Sequence, residues 1–159
     1  MERLKRLEDI CQPDGRYLNR VDIDNSAGTV TPTTVESIYV LVEEIKLGAS
    51  VPDEVRSHFE IARNLALYSW FVYSFNVVAG MQAFASLEMA VREKTGPRRM
   101  SFKTRLDAAF KDRQLAAGVS LSTAVTKLRN DLAHGSSTMH GQGLITLSMC
   151  AELINELYP

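Results

Sequence analysis

From residue 33 onward the hydrophobic positions of this chain recur with the period of a helix. Ile38, Leu41, Val42 and Ile45 fall on one helical face, behind Thr33-Thr34-Val35-Glu36, which has the Thr-x-x-Glu form of a capping box. Gly48 closes that segment. Pro52-Asp53-Glu54 opens the next, with proline in the first turn and acids at the positive end of the helix dipole. Between Pro52 and Gly96 the only glycine or proline is Gly80. This run predicts one long helix or two joined at a kink. Helices above about 25 residues are uncommon, so a kink is expected between Tyr68 and Gly80. After Gly96-Pro97, Phe102 to Phe110 reads as a short helix and Gly118 as a break. Ser120 or Ser122 can cap a helix through Leu121, Val125, Leu128 and Leu132. A last amphipathic helix runs from Leu144 to Leu157. No stretch alternates with period two over a useful length. The expected fold is all-α, a single-domain antiparallel helical bundle with one long, kinked central helix.

Residues 1–32 break the pattern. Leu4, Leu7 and Ile10 could form a short amphipathic helix, and Pro13-Asp14-Gly15 and Asn25-Ser26-Ala27-Gly28 are turn signals. This acidic segment is expected to be an irregular arm beside a helical domain spanning 33–159.

Residues 64–87 carry no charge, a length that would permit a membrane span. Asn64, Ser69, Ser74, Asn76, Gln82 and Ser86 would each need a partner in lipid, and the flanks show no one-sided basic excess. A buried central helix is expected instead, with no membrane partner. A helix that is apolar all round must be covered all round. In so small a domain the aromatic run through Tyr68, Trp70, Phe71, Tyr73 and Phe75 suggests a homodimer; neighbouring helices of the same chain are the alternative cover.

The 159 residues are 45% hydrophobic and 23% charged, which excludes a disordered chain. A net charge of −1 argues against a surface that grips nucleic acid everywhere. The charge is uneven, however. Residues 1–60 carry seven Lys/Arg against twelve Asp/Glu, whereas residues 92–113 carry eight against three. Arg98, Arg99, Lys103 and Arg105 in that basic segment are candidate RNA contacts, although a solvated helix end with a basic loop would give the same pattern. Cys11 and Cys150 stand far apart with no C-x-x-C pair, and the first residues lack an apolar leader, so a reducing, cytoplasmic setting is expected.

Candidate chemistry concentrates at Arg129-Asn130-Asp131-Leu132-Ala133-His134. On a helical wheel Leu121, Val125, Leu128 and Leu132 form the core stripe, Arg129 lies at its edge, and Asn130 and His134 point away from it. Asn130 and His134 are spaced for an i,i+4 hydrogen bond. Gly135 supplies a stop, leaving His134 at the negative end of the dipole, where a cation is favoured. A surface histidine serving as a helix cap is the plainer alternative.

The six residues resemble the Arg-x(4–6)-His signature of HEPN domains, in which a polar residue commonly follows the arginine. The resemblance covers 129–134 as matched sequence and roughly 34–158 as architecture. It implies a small all-α domain that dimerises and acts as a metal-independent endoribonuclease, among whose relatives are toxins and abortive-infection effectors. It also implies an RNA substrate, an antitoxin or regulatory protein as partner, no cofactor and no metal. Some HEPN toxins carry a tyrosine two residues after the histidine, where this chain has Ser136. Metal-free RNA cleavage uses the 2′-hydroxyl as nucleophile and leaves a 2′,3′-cyclic phosphate. Histidine suits the proton transfers at neutral pH and arginine the charge on the phosphorane. Arg129, Asn130 and His134 are therefore the candidate catalytic set, with Asp131 and His140 as accessory candidates. One chain supplies one such set, and two copies facing across a dyad would supply both proton-transfer groups. His58 reads as structural or exposed, and Asn76, Gln82 and Glu88 as polar insertions in the buried run. The competing function is a HEPN-like module that binds RNA, a nucleotide or a partner protein without cutting.

Overall fold

The computed structural model describes residues 4–24, 26–96, 99–111, 113–115, 118–134 and 142–159. A single 3₁₀ turn, Leu7–Asp9, precedes a hairpin of β1 (Val21–Asp24) and β2 (Thr29–Pro32). Six helices follow: α1 (Val35–Glu44), α2 (Asp53–Tyr68), α3 (Phe75–Thr95), α4 (Phe102–Phe110), α5 (Leu121–Ala133) and α6 (Gly143–Leu157). The fold is mostly helical.

Helix α3 is the axis. Ala79, Ala83, Leu87, Ala90 and Val91 on it are fully buried, against Phe59 of α2 and Leu147 and Ile154 of α6. Small residues let its neighbours come close. A Cβ at Gly80 would stand 2.8 Å from Leu132 Cδ2 of α5. One at Gly143, which opens α6, would stand 2.5 Å from the Asn76 carbonyl oxygen. A methyl group at Gly143 would run into the Asn76 backbone, and one at Gly80 would displace the Leu132 side chain.

The expected kink is a full reversal. α2 ends at Tyr68 and α3 begins at Phe75, and the two lie antiparallel, so that His58 early in α2 reaches Ser86 late in α3 at 2.9 Å. Neither Gly nor Pro marks the break. Ser69 donates its hydroxyl to the Ala66 carbonyl at 2.7 Å, and the Asp14 carboxylate accepts the Tyr73 amide at 3.2 Å. One of these partners lies almost sixty residues away, where no local pattern can announce it.

The arm also differs from expectation. Its first residues make one 3₁₀ turn instead of a helix, and Leu4 is 98% exposed. A short antiparallel ladder pairs Val21 with Pro32 and Ile23 with Val30. Of the expected turn signal Asn25 lies outside the described residues, and Ser26, Ala27 and Gly28 fall between the strands, where the Asp24 carboxylate accepts from the Ser26 hydroxyl at 2.6 Å and the Ser26 and Ala27 amides. Those bonds hold its pKa below the usual carboxylate value. The capping box shifts by one residue: Thr34 is the N-cap and Ser37 answers it. Thr33 is engaged elsewhere, donating its amide to Arg20 O and its hydroxyl to Asp22.

Tyr17 docks the arm on the helical reversal. Its ring packs 5.2 Å from that of Trp70 and 5.3 Å from that of Tyr73. Its hydroxyl accepts from Asn76 Nδ2 at 3.0 Å and meets Ser69 Oγ at 2.8 Å. Asn76 is thus a satisfied core amide. The cover that the aromatic run demanded from a second copy comes in large part from the chain's own arm. No helix among the described residues is long and apolar enough to cross a membrane.

Two outcomes follow for the arm. Tyr17→Phe leaves the buried Asn76 and Ser69 groups short of a partner and should cost about 1–3 kcal/mol in denaturant unfolding. The second concerns acid. Arg16 and the backbone amides around Asp14 hold its carboxyl far below the usual range. Its contribution is therefore complete above the unfolded value of about 3.9 and is lost as pH falls through the folded one. Thermal melts of wild type and Asp14→Asn should differ most at pH 5–7, and the gap should begin to narrow only below about pH 4, shrinking progressively with further acid.

Candidate functional site

Helix α5 carries the motif. Ser120 caps it by accepting the Thr123 amide, and Leu121, Val125 and Leu132 are buried with Leu128 packed beside them. The wheel's core stripe is therefore the observed one. It fixes the helix's rotation and so decides where the polar residues point.

Arg129 leans toward α3. Its Nη2 donates to Glu88 Oε2 at 3.3 Å, and its Nη1 to Asn130 Oδ1 at 3.2 Å. Both Arg129 and Glu88 remain over two-fifths exposed, so this is a partly screened pair at the lip of a groove. The groove, about 280 Å³, runs between α3 and α5 and is lined by Met81, Phe84, Ala85, Glu88, Arg129 and Ala133. Met81 and nearby Val78 on α3 are exposed apolar residues.

His134 is the C-cap of α5. Its backbone amide donates to Asn130 O at 2.9 Å, its side chain is exposed, and among the described residues its ring has no hydrogen-bond partner. The expected Asn130–His134 side-chain bond is not formed. Asn130 turns its carbonyl to the Arg129 guanidinium, a charged donor that makes the stronger bond. The structure thus gathers Glu88, Arg129 and Asn130, and leaves His134 free at the adjoining helix end. Asp131 is tied to Lys127 at 2.6 Å on the exposed face, an i,i+4 pair, and does not join them. His140 and Ser136 lie outside the described residues.

The basic segment is less available than its sequence suggests. Arg105 is buried, 7% exposed, with Nη1 donating to Thr95 Oγ1 at 2.5 Å and to Gly96 O at 2.9 Å. It fastens α4 to the end of α3 and does not present its guanidinium to a phosphate. Lys103 pairs with Asp107 at 3.0 Å, and Arg113 with Glu156 at 2.6 Å. Arg98 lies outside the described residues, and Arg99 is exposed. His58 belongs to a structural cluster: its Nδ1 lies 2.9 Å from Ser86 Oγ, and its carbonyl accepts from Gln82 Nε2 at 3.2 Å.

Glu88, a polar insertion closing the buried run, is brought to the motif by its bond to Arg129. A charge closing a 24-residue uncharged run was the available signal, but nothing local pairs it with an arginine 41 positions on. Among the described residues no three His, Cys, Asp or Glu side chains cluster as metal ligands. Both cysteines are free, and burial pushes the Cys150 thiol far up from its usual value. Comparison with protein-family models, curated proteins and solved structures returned no match.

The two cations can be told apart experimentally. Arg105→Ala should lower the melting temperature by several degrees, because it removes the buried guanidinium that bonds Thr95 Oγ1 and the Gly96 carbonyl and so fastens α4 to α3. Lys103→Ala, losing an exposed i,i+4 pair, should shift it by about 1 °C or less.

Proposed function

We propose that this chain is a metal-independent endoribonuclease of HEPN type, working in the cytosol as a dimer. The observation that carries the reading is the end of α5, where a half-exposed arginine set by Glu88 and Asn130 adjoins an exposed histidine whose ring has no partner among the described residues. In this reading Arg129 binds the scissile phosphate with its fork of donors and holds the charge that builds on the phosphorane. His134 moves a proton: it takes the 2′-hydroxyl proton as that oxygen attacks phosphorus, or gives one to the departing 5′-oxygen. His134 of a second copy supplies the complementary transfer. Asn130 orients Arg129. The exposed Val78 and Met81 beside the groove give a dimer contact next to the site. An antitoxin or other regulatory protein would act by covering this helix end.

The non-catalytic reading, a module that binds RNA, a nucleotide or a protein, draws support from the Arg129–Glu88 pair. An arginine already facing a carboxylate offers less charge to a phosphate.

The deciding experiment incubates purified protein with total RNA in EDTA. Wild type should cut and leave 2′,3′-cyclic phosphate ends. His134→Ala and Arg129→Ala should each lose about 10²–10³ in rate while keeping wild-type melting temperature and sedimentation. Absence of cleavage by wild type, with RNA retained on a filter, would favour the binding module.

A further inference from the structure

A second cavity, with no lining residue in common with the groove beside the motif, lies where the arm crosses the reversal between α2 and α3. Its volume is about 510 Å³, within the roughly 300–1,000 Å³ typical of small-molecule sites. Its walls are apolar: Ile10 comes from the arm, and Phe71, Val72 and Phe75 from the reversal and the start of α3. Water against such walls finds few partners, so an apolar group gains by displacing it.

The polar groups at its edge define what else the ligand must carry. Asp14 is committed, accepting from Arg16 Nε and Nη2 at 2.8 Å each and from two backbone amides. That ion pair is close to neutral. Lys5 differs. It is half-buried, and its ammonium donates only to the Asp9 and Gln12 carbonyls; among the described residues it meets no carboxylate. Neutral carbonyls orient an ammonium without cancelling its charge, and one of its three N–H groups is left over. Among the described residues, the mouth of an apolar cavity therefore holds one ammonium that no carboxylate cancels, held in place by two carbonyls.

We propose that this cavity binds a small amphipathic carboxylate, its chain or ring between Ile10, Phe71 and Phe75 and its anionic head on Lys5. The site is independent of the nuclease reading. Phe75 and Glu88 are separated by roughly 20 Å along α3 at 1.5 Å per residue.

Trp70 is the only tryptophan and adjoins Phe71, so its emission reports on the cavity selectively. The full chain is titrated with decanoate below its micelle concentration, following Trp70 emission and, in parallel, heat by calorimetry. Saturable binding is expected, with decanol and decylamine each weaker by about tenfold or more, the worth of one charge-assisted contact. Lys5→Glu should weaken decanoate by at least about tenfold, and Val72→Asp should do likewise from the cavity wall. Both variants should melt with wild type, since neither residue is in the core. No saturable decanoate binding by either readout would overturn the proposal. So would equal affinity for decanol, or undiminished binding by Lys5→Glu.

Discussion

Everything in this molecule is arranged around the burial of α3. A helix that is apolar on nearly every face has to be enclosed, and 159 residues leave little material to do it. α2 flanks it antiparallel and α6 parallel, α5 and α4 pack against it, and the arm closes the end that the helices leave open. Enclosure from several sides demands close approach. Ala79, Gly80 and Ala83 provide it on α3, and Gly143 provides it where α6 begins against the Asn76 backbone.

Enclosure also decides the fate of each polar group on α3. A buried amide or hydroxyl without a partner is costly, and each one finds its partner on a different element. Asn76 bonds Tyr17 of the arm, Ser86 meets His58 of α2, Gln82 bonds the His58 carbonyl, and Glu88 meets Arg129 of α5. These pairings tie the arm, α2 and α5 to the central helix. The candidate site is one of them. Arg129 stands where it does because the leucine stripe of α5 turns it toward α3, and Glu88 is there to meet it.

The arm is the second consequence. Asp14 and Tyr17 together fix the backbone of the α2–α3 reversal and cover its aromatic residues, so a segment that looks dispensable by composition completes the core. The same crossing creates the cavity beside Lys5. That cavity and the groove beside Arg129 have no lining residue in common.

The amino-acid pattern by itself determined most of the helical segments and the buried stripes of α5 and α6, whereas Leu41, expected on the apolar face of α1, is exposed. The α5 stripe, the Ser120 cap, the Asp53 start of α2 and the outward position of His134 were all legible, because each rests on neighbours within a turn or two. What the tertiary structure decided involves partners dozens of residues apart. The reversal at 69–74 carries no glycine or proline and depends on Asp14. The β-hairpin has strands too short to show a period. Arg105 reads as a surface cation until α4 packs it against the end of α3, and Asn130 is spaced for His134 until a charged donor stands nearer. Periodicity records which face a residue occupies. It holds no record of what that face will meet, since that is fixed only when the whole chain has closed around α3.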